Sequence, residues 1–307
     1  MANDDLWSYY FQNEDLLHAC RMEMLPDEQG SLYQEWLGLH DGMKILDVGC
    51  GTGEFTYYLG RQISEGEFTG LDFDTGMIRA AENRKAPDLR NRYSFLQGDA
   101  FHLPFEEGTF DRTVSFTFLT AVGDVTGAAA EMARVTKSGG LVAAVIGDSF
   151  EEKTGSSGYW PKAVLPRVNE MAELQAKAEM MYQALLPTEG RWTEPSTIPY
   201  LFSKAPLQNV RVRAVGNFFS LSDAALSGEL RKEYIDSFYR GLSIKLSRFR
   251  AIPASRNYLT DQEFDRLLSL QNWIHDYLVC ILDDNRIWNW NSHTLLLMTG
   301  IKQSDKP

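Results

Sequence analysis

One run, Lys44-Ile45-Leu46-Asp47-Val48-Gly49-Cys50-Gly51-Thr52-Gly53-Glu54, constrains the fold of this chain more than any other stretch. Ile45, Leu46 and Val48 make a short buried strand, Gly49, Gly51 and Gly53 a bare turn, and 55–59 the start of a helix. Glycines at a strand-to-helix turn let the backbone approach a ligand closely, with the helix N-terminus aimed at it. The turn therefore reads as a cofactor cradle. Dinucleotide folds use G-x-G-x-x-G and set a pyrophosphate on the helix end. Here the spacing is G-x-G-x-G, and Glu54 stands where phosphate would have to be welcome. With Asp47 as a second negative charge, the pattern suits a ligand carrying an ammonium and a sulfonium.

The following segments keep a regular rhythm. Strands are expected at 43–48, 67–71 (ending in Asp72), 93–97, 110–116 and 141–146, with helices at 54–63, 75–84 and 126–135. Strands alternating with helices at this pace specify a parallel sheet wound with helices. After Gly147 the rhythm changes: 151–160 is polar and Gly/Ser-rich, and a helix over 162–186 stops at Pro187. A helix at 198–207 leads to a strand at 210–221. The stretch 222–290 is helical again, with Phe264, Leu267, Leu268, Ile274, Tyr277, Leu278 and Ile281 at helical spacing. An apolar strand at 293–301 returns to the sheet. Upstream, 4–40 reads as amphipathic helix, with an aromatic cluster of Trp7, Tyr9, Tyr10 and Phe11, a break at 26–30, and Ser31 as cap of a helix over 32–39.

Asp47-Val48-Gly49-Cys50-Gly51-Thr52-Gly53 resembles the first motif of class I S-adenosylmethionine-dependent methyltransferases, (D/E)-x-G-x-G-x-G, at every position. Ligands of open parallel sheets sit beyond the carboxyl ends of the strands. Asp72, ending the second strand, can there accept from both ribose hydroxyls, a role shared with dinucleotide folds; Asp74 suits a helix cap better. Gly98-Asp99-Ala100 before Leu103-Pro104-Phe105 resembles a second family pattern. In it Asp99 accepts from the adenine amino group and the Ala100 N–H donates to a ring nitrogen. Met77 would lie near the adenine face, with ordinary helix packing as its competing reading. Phe110-Asp111-Arg112-Thr113-Val114-Ser115 resembles F-D-x-V-x-S, and 131–140 resembles E-x-x-R-V-L-K-P-G-G, departing at Thr136 and Ser138. Arg134 reads as stabilising that corner.

The resemblance runs over 43–147, plus sheet strands near 210–221 and 293–301, and is close to the ubiquinone and menaquinone methyltransferase-like branch. That branch often carries a His pair after the fourth strand, where this chain has Thr120-Ala121; the departure speaks against a quinone-precursor acceptor. The resemblance implies an α/β fold: a Rossmann-like, mostly parallel seven-stranded sheet with helices on both faces, an antiparallel last strand and helical cap insertions. It implies S-adenosylmethionine as cofactor and in-line methyl transfer to an O, N or C nucleophile of a small molecule. It implies cofactor contacts at Asp47, Gly49, Cys50, Gly51, Gly53, Asp72, Phe73, Met77, Asp99, Ala100 and Ser115, with Tyr10 and Arg21 closing from the N-terminal helices over the methionine end. No obligatory catalytic residue follows, because a sulfonium is already activated and the protein mainly aligns it. A general base is needed only where the acceptor must lose a proton.

The expected domains are an N-terminal lid (1–40), a cofactor-binding core (41–150, completed by 194–221 and 291–303), and helical cap insertions (151–193 and 222–290) for the acceptor. Phe116, Thr120, Trp160, Tyr200 and His275 are the acceptor-pocket candidates, with Tyr9 and Trp192 behind them; each competes with plain core packing. Asp283-Asp284-Asn285 reads as a helix-ending polar cluster, and no metal is expected.

A net charge of -12 argues against a nucleic-acid footprint, which needs a basic face. No apolar run approaches the roughly 18 residues that span a bilayer. The N-terminus has no basic-then-apolar signal. Cys20, Cys50 and Cys280 lack metal-ligand spacing and read as reduced thiols, so the expectation is a cytoplasmic protein without a membrane partner. Two alternatives stand beside the methyltransferase: an NAD(P)-dependent oxidoreductase on a Rossmann sheet, and a non-catalytic S-adenosylmethionine-binding protein.

Overall fold

The apolar segments of the first half lie side by side as parallel strands in the computed structural model, which describes residues 8–9, 12–84, 91–147, 156–186, 192–223, 226–282 and 288–303. The chain divides into a sheet unit, Met24–Thr154 with Thr188–Asn217 and His293–Pro307, and a helical unit, Met1–Glu23 with Gly155–Pro187 and Phe218–Ser292.

The elements in chain order are α1 (Glu14–Met24), α2 (Gly30–Leu37), β1 (Lys44–Val48), α3 (Glu54–Gly60), β2 (Glu67–Asp72), α4 (Thr75–Asn83), β3 (Arg92–Gln97), β4 (Phe110–Phe116), α5 (Val125–Val135) and β5 (Thr136–Gly147). They continue with β6 (Ser156–Tyr159), α6 (Leu165–Leu185), α7 (Ile198–Phe202), β7 (Leu207–Phe219), α8 (Gly228–Arg250), α9 (Asp261–Cys280) and β8 (Trp288–Lys302). The sheet order is β3-β2-β1-β4-β5-β8, with β7 also on β8 and β6 pairing with the start of β8. β1 through β5 pair in parallel, and β8 runs antiparallel to β5 with Ala144 opposite Met298. This is the methyltransferase-type Rossmann-like sheet that the motif implied.

Alternation along each strand builds the two faces, since successive side chains point to opposite sides. Leu46, Val48, Val142, Ala144 and Ile146 face α5 and α7, meeting Ala129, Met132, Ala133, Ile198 and Phe202. Ile45, Val114, Phe116, Ala143 and Val145 face α2 and α3, meeting Tyr33, Leu37, Phe55 and Tyr58. A sheet covered on both faces needs near-continuous apolar strands, which is why these segments were readable in the sequence.

Two expectations change. The polar stretch 151–160 contains β6, which pairs Ser156 with Asn291 and Tyr159 with Trp288. Its ladder needs only backbone groups, so no apolar pattern announces it. Ser31 does not cap α2: the helix begins at Gly30, entered directly from a 3-10 turn over Asp27–Gln29 without a side-chain cap. Of the N-terminal helices, α1 up to Glu23 groups with the helical unit and α2 with the sheet unit.

In the helical unit, α6, α8 and α9 share a core of Met181, Tyr182, Leu246, Phe249, Phe264 and Leu267. A full capping box, Thr260 with Glu263, starts α9, and Ser227 caps α8. Among the described residues no helix is long and apolar enough to cross a membrane.

The corner after α5 rests on Arg134. Its guanidinium grips the Glu131 carboxylate at 2.7 and 2.8 Å and also donates to the carbonyls of Leu103 and Phe105, both at 2.9 Å. Glu131 in turn accepts the Leu103 N–H at 3.0 Å. Arg134→Ala should destabilise the protein by about 1–3 kcal/mol in urea titration, and Arg134→Lys should recover little, because an ammonium cannot reproduce the planar fork.

Candidate functional site

The glycine turn is latched to the end of the neighbouring strand. Gly49 and Cys50 both donate their N–H to the Leu71 carbonyl, at 2.8 and 3.0 Å. Gly51 donates its N–H to Asp72 Oδ2 at 2.8 Å, and the other Asp72 oxygen accepts from the Asp74 N–H at 2.9 Å. Gly49 has φ +71° and Gly53 φ +78°, a region that side chains other than glycine's rarely tolerate. Space forbids a side chain as well: a Cβ on Gly49 would lie 2.4 Å from the Phe118 ring, and one on Gly53 2.9 Å from Phe95.

The two acidic residues of the motif serve the fold more than the sequence suggested. Asp47 is 1% exposed and accepts from Thr56 Oγ1 at 2.7 Å, tying the strand end to α3. Glu54, in the first turn of α3, pairs with Arg84 at 2.5 Å and also accepts from Thr52 Oγ1. Its charge is thus matched by a guanidinium, not held open for a cationic ligand. The protein's own carboxylate stands in the first turn of the helix at whose N-terminus a dinucleotide fold would hold pyrophosphate. This geometry opposes the oxidoreductase alternative.

At the end of β2, burial pushes the Asp72 carboxyl up to about 6, against the backbone N–H groups that favour its charge. Phe73 beside it is 54% exposed. At the end of β3, Asp99 accepts from the Phe101 N–H at 2.9 Å and pairs with His102 Nδ1 at 2.9 Å. Burial works against the Asp99 charge, but the His102 and Phe101 contacts outweigh it and hold the carboxyl below its ordinary value. His102 was missed in the sequence; the D-x-x-H spacing just past the strand was its signal. Asp74 caps α4, accepting the N–H groups of Gly76 and Met77. The backbone of Ala100 follows Asp99 in the same loop, so Asp72, Phe73, Asp99 and Ala100 all stand at the carboxyl ends of adjacent parallel strands.

The end of β4 holds what the sequence concealed. Thr117 has φ +54°, an unusual conformation for a β-branched residue. Its N–H donates to the Val145 carbonyl at 2.7 Å, and its carbonyl accepts from Thr120 Oγ1 at 3.1 Å. The chain thereby turns, and Phe118 lies against Gly49. Thr193 fastens a further segment here, its N–H donating to the Thr120 carbonyl at 3.1 Å and its hydroxyl to the Val122 carbonyl at 2.6 Å.

Several expected contacts fall elsewhere. Met77 and Ser115 are buried and present almost no side-chain surface. Phe116 is a core residue, its ring 4.8 Å from that of Phe55, because the alternation of β4 turns it towards α3. Tyr200 is 63% exposed, with the Lys204 ammonium 4.5 Å above its ring. Arg21, Trp160 and His275 belong to the helical unit. His275 sits between Asp236 at 2.8 Å and Asp276 at 3.0 Å and lines an open groove of about 720 Å³ between α8 and α9. Burial opposes its charge, yet the two carboxylates raise the imidazole above its ordinary value. Tyr10 and Asp283-Asp284-Asn285 lie outside the described residues. Among the described residues no group of three His, Cys, Asp or Glu could hold a metal ion.

A family model described as a methyltransferase domain matches residues 46–144. A demethylmenaquinone methyltransferase of Staphylococcus aureus strain MRSA252 is 33% identical over 220 residues, covering 69% of this chain and 89% of the relative. That of strain JH9 is 32% identical over the same length. Among solved structures, phosphoethanolamine N-methyltransferase 2 of Haemonchus contortus, in complex with phosphomonomethylethanolamine and S-adenosylhomocysteine, superposes with a TM-score of 0.51 at 17% identity. That match covers 99% of this chain and 61% of that one, and it establishes the shared fold.

Gly49→Ala should destabilise the protein more than Gly42→Ala. Both glycines have positive φ, but a Cβ on Gly42 meets nothing within 4 Å. The expected costs in urea titration are about 1 kcal/mol for Gly42→Ala and about 2–3 kcal/mol for Gly49→Ala.

Proposed function

The chain belongs to the class I S-adenosylmethionine-dependent methyltransferases, and we propose that it methylates a hydroxylated, quinol-type small molecule from a cofactor laid across the ends of β3, β2 and β1. In this reading Asp99 and the Ala100 N–H take the adenine edge, Asp72 accepts from the ribose hydroxyls, and the Gly49–Gly53 turn carries the methionine end. The observation that supports it most directly is Asp72: a carboxylate at a strand end, oriented by two backbone N–H bonds, with acceptor capacity left on both oxygens. When bound, S-adenosylmethionine supplies a sulfonium methyl that leaves to the acceptor while the C–S electron pair stays on sulfur. The protein's residues then contribute alignment and exclusion of water.

The acceptor class rests on the relatives. An identity of 33% over 220 residues spans well beyond the motif that matches the family model. The expectation that Thr120-Ala121 speaks against a quinone-precursor acceptor gives way here to that likeness, because the departure is confined to one loop. Thr120 and the Trp192–Thr193 segment stand at the end of β4, next to the glycine turn in the sheet order, and are proposed to face the acceptor. Incubation with methyl-labelled S-adenosylmethionine should transfer label to a chemically reduced demethylated naphthoquinone and not to phosphoethanolamine. Label in phosphoethanolamine alone would sink the quinol reading.

Ionisation of Asp72 gives a second expected outcome. The ionised carboxylate is the stronger acceptor, and its folded value lies near 6, above the ordinary 3.8. Cofactor affinity should therefore rise with pH through about 6 and level off above it. By calorimetry, S-adenosylhomocysteine should bind about tenfold more weakly at pH 5 than at pH 7.5. Asp72→Asn should abolish that pH dependence, and Asp72→Ala and Asp99→Ala should each weaken binding by about tenfold. The same raised value means that the folded form takes up the proton first, so this carboxyl favours unfolding above pH 6 and ceases to do so as pH falls towards 3.8.

A further inference from the structure

The sheet order β3-β2-β1-β4 sets the cofactor-binding ends in one line. Resting on the reading above, the adenine lies at β3, the ribose at β2 and the sulfur at the β1 turn, in steps of about 4.8 Å between strands. The next strand along that line is β4, and the side chain it sends onto the turn is Phe118. Its Cδ2, Cγ and Cβ lie 2.4, 2.5 and 2.7 Å from where a Gly49 Cβ would be, so its ring lies against the first glycine's α-carbon. It is partly buried against the core beneath, and therefore fixed, yet not sealed off.

We propose that Phe118 is a charge-reading wall for the methyl donor: its ring face favours the cationic sulfonium over the neutral thioether left after transfer. The electrostatics of the turn lead to this assignment. Glu54 is matched by Arg84, and Asp47 is buried on Thr56. Asp72 and Asp99 sit at β2 and β3, on the nucleoside side. The group from β4 that lies on the turn is an aromatic ring, whose negative face attracts a cation. Three features hold it there: the left-handed backbone of Thr117, the Thr117 N–H on the Val145 carbonyl, and the Ala121 N–H, which donates to the Phe118 carbonyl at 2.8 Å. Phe118 is thus a positioning and selectivity residue. Its attraction vanishes when the methyl departs, which weakens the hold on the product.

The test is binding, not turnover. Calorimetric Kd values for S-adenosylmethionine and S-adenosylhomocysteine are compared in the wild type, Phe118→Leu and Phe118→Tyr. The ratio of the product's Kd to the donor's should fall about fivefold in Phe118→Leu and be retained in Phe118→Tyr. Product binding that stays at the wild-type level with an unchanged ratio in Phe118→Leu would overturn the proposal while leaving the site reading intact. If the wild type binds neither ligand, the site reading fails and the proposal falls with it. Should Phe118→Leu not fold, 3,4,5-trifluorophenylalanine at this position keeps the ring's shape and weakens its face. A ratio lowered by fluorination supports the assignment, and an unchanged one overturns it.

Discussion

The hydrogen bonds that fasten the β1 turn to the end of β2 are the constraint on which the rest of the sheet unit depends. Two N–H groups share the Leu71 carbonyl, and a third is taken by the Asp72 carboxylate. Register between β1 and β2, with Val48 opposite Leu71, sets this latch, and the latch sets where α3 begins. It also leaves the turn unsuited to an anion. The N–H groups of Gly49, Cys50, Gly51 and Gly53 are all bonded internally, and α3 opens on Glu54. A pyrophosphate site needs free backbone donors and no competing carboxylate. What the latch offers instead is the Asp72 carboxylate, held in one orientation beside the turn.

The acidic residues show how one pattern can be read correctly for an incorrect reason. Asp47 and Glu54 point away from a dinucleotide, yet their charges are not displayed to a cationic ligand. One is buried on a threonine, the other paired with Arg84, a residue some thirty positions downstream. Sequence spacing reveals that a charge exists; only the packed structure reveals what neutralises it. On the proposed placement of the donor, its positive charge would be met by something else near the turn, and an aromatic ring would meet it at little desolvation cost.

The central strands of the sheet unit were legible because β1 and β5 are covered on both faces and so carry runs of apolar residues. Leu46 and Val142 belong to one face and Ile45 and Ala143 to the other, and all four are hydrophobic. The strand-end residues Asp72 and Asp99 were legible because they interrupt those runs at fixed places. What stayed hidden depends on backbone conformation or distant partners. β6 pairs through its backbone, Thr117 adopts its left-handed φ without a glycine to advertise it, and Phe118 looks like any core aromatic. The helical unit was legible as helices but not as a pocket. Its aromatic residues serve cores such as Tyr182 against Phe249, at 4.6 Å, and the same residue types would line an acceptor pocket.

Three unusual local choices in the sheet unit stand close together. A β-branched residue in the left-handed region, a turn of positive-φ glycines and a carboxyl whose charge is disfavoured by burial all stand at the carboxyl ends of β4, β1 and β2. The glycines meet their backbone demand without strain, whereas Thr117 and Asp72 carry a local cost that the packed core beneath offsets. The first two are also one packing solution. Thr117 turns the chain so that Phe118 can lie on Gly49, and Gly49 must lack a side chain for that ring to fit. A side chain at 49 would displace the ring, and a relaxed Thr117 would carry it elsewhere, so neither can change without the other. The Asp72 carboxylate bears a similar relation to its ligand. Partial burial and two backbone N–H bonds already fix its orientation, so a hydroxyl meeting it would find an acceptor that need not reorient.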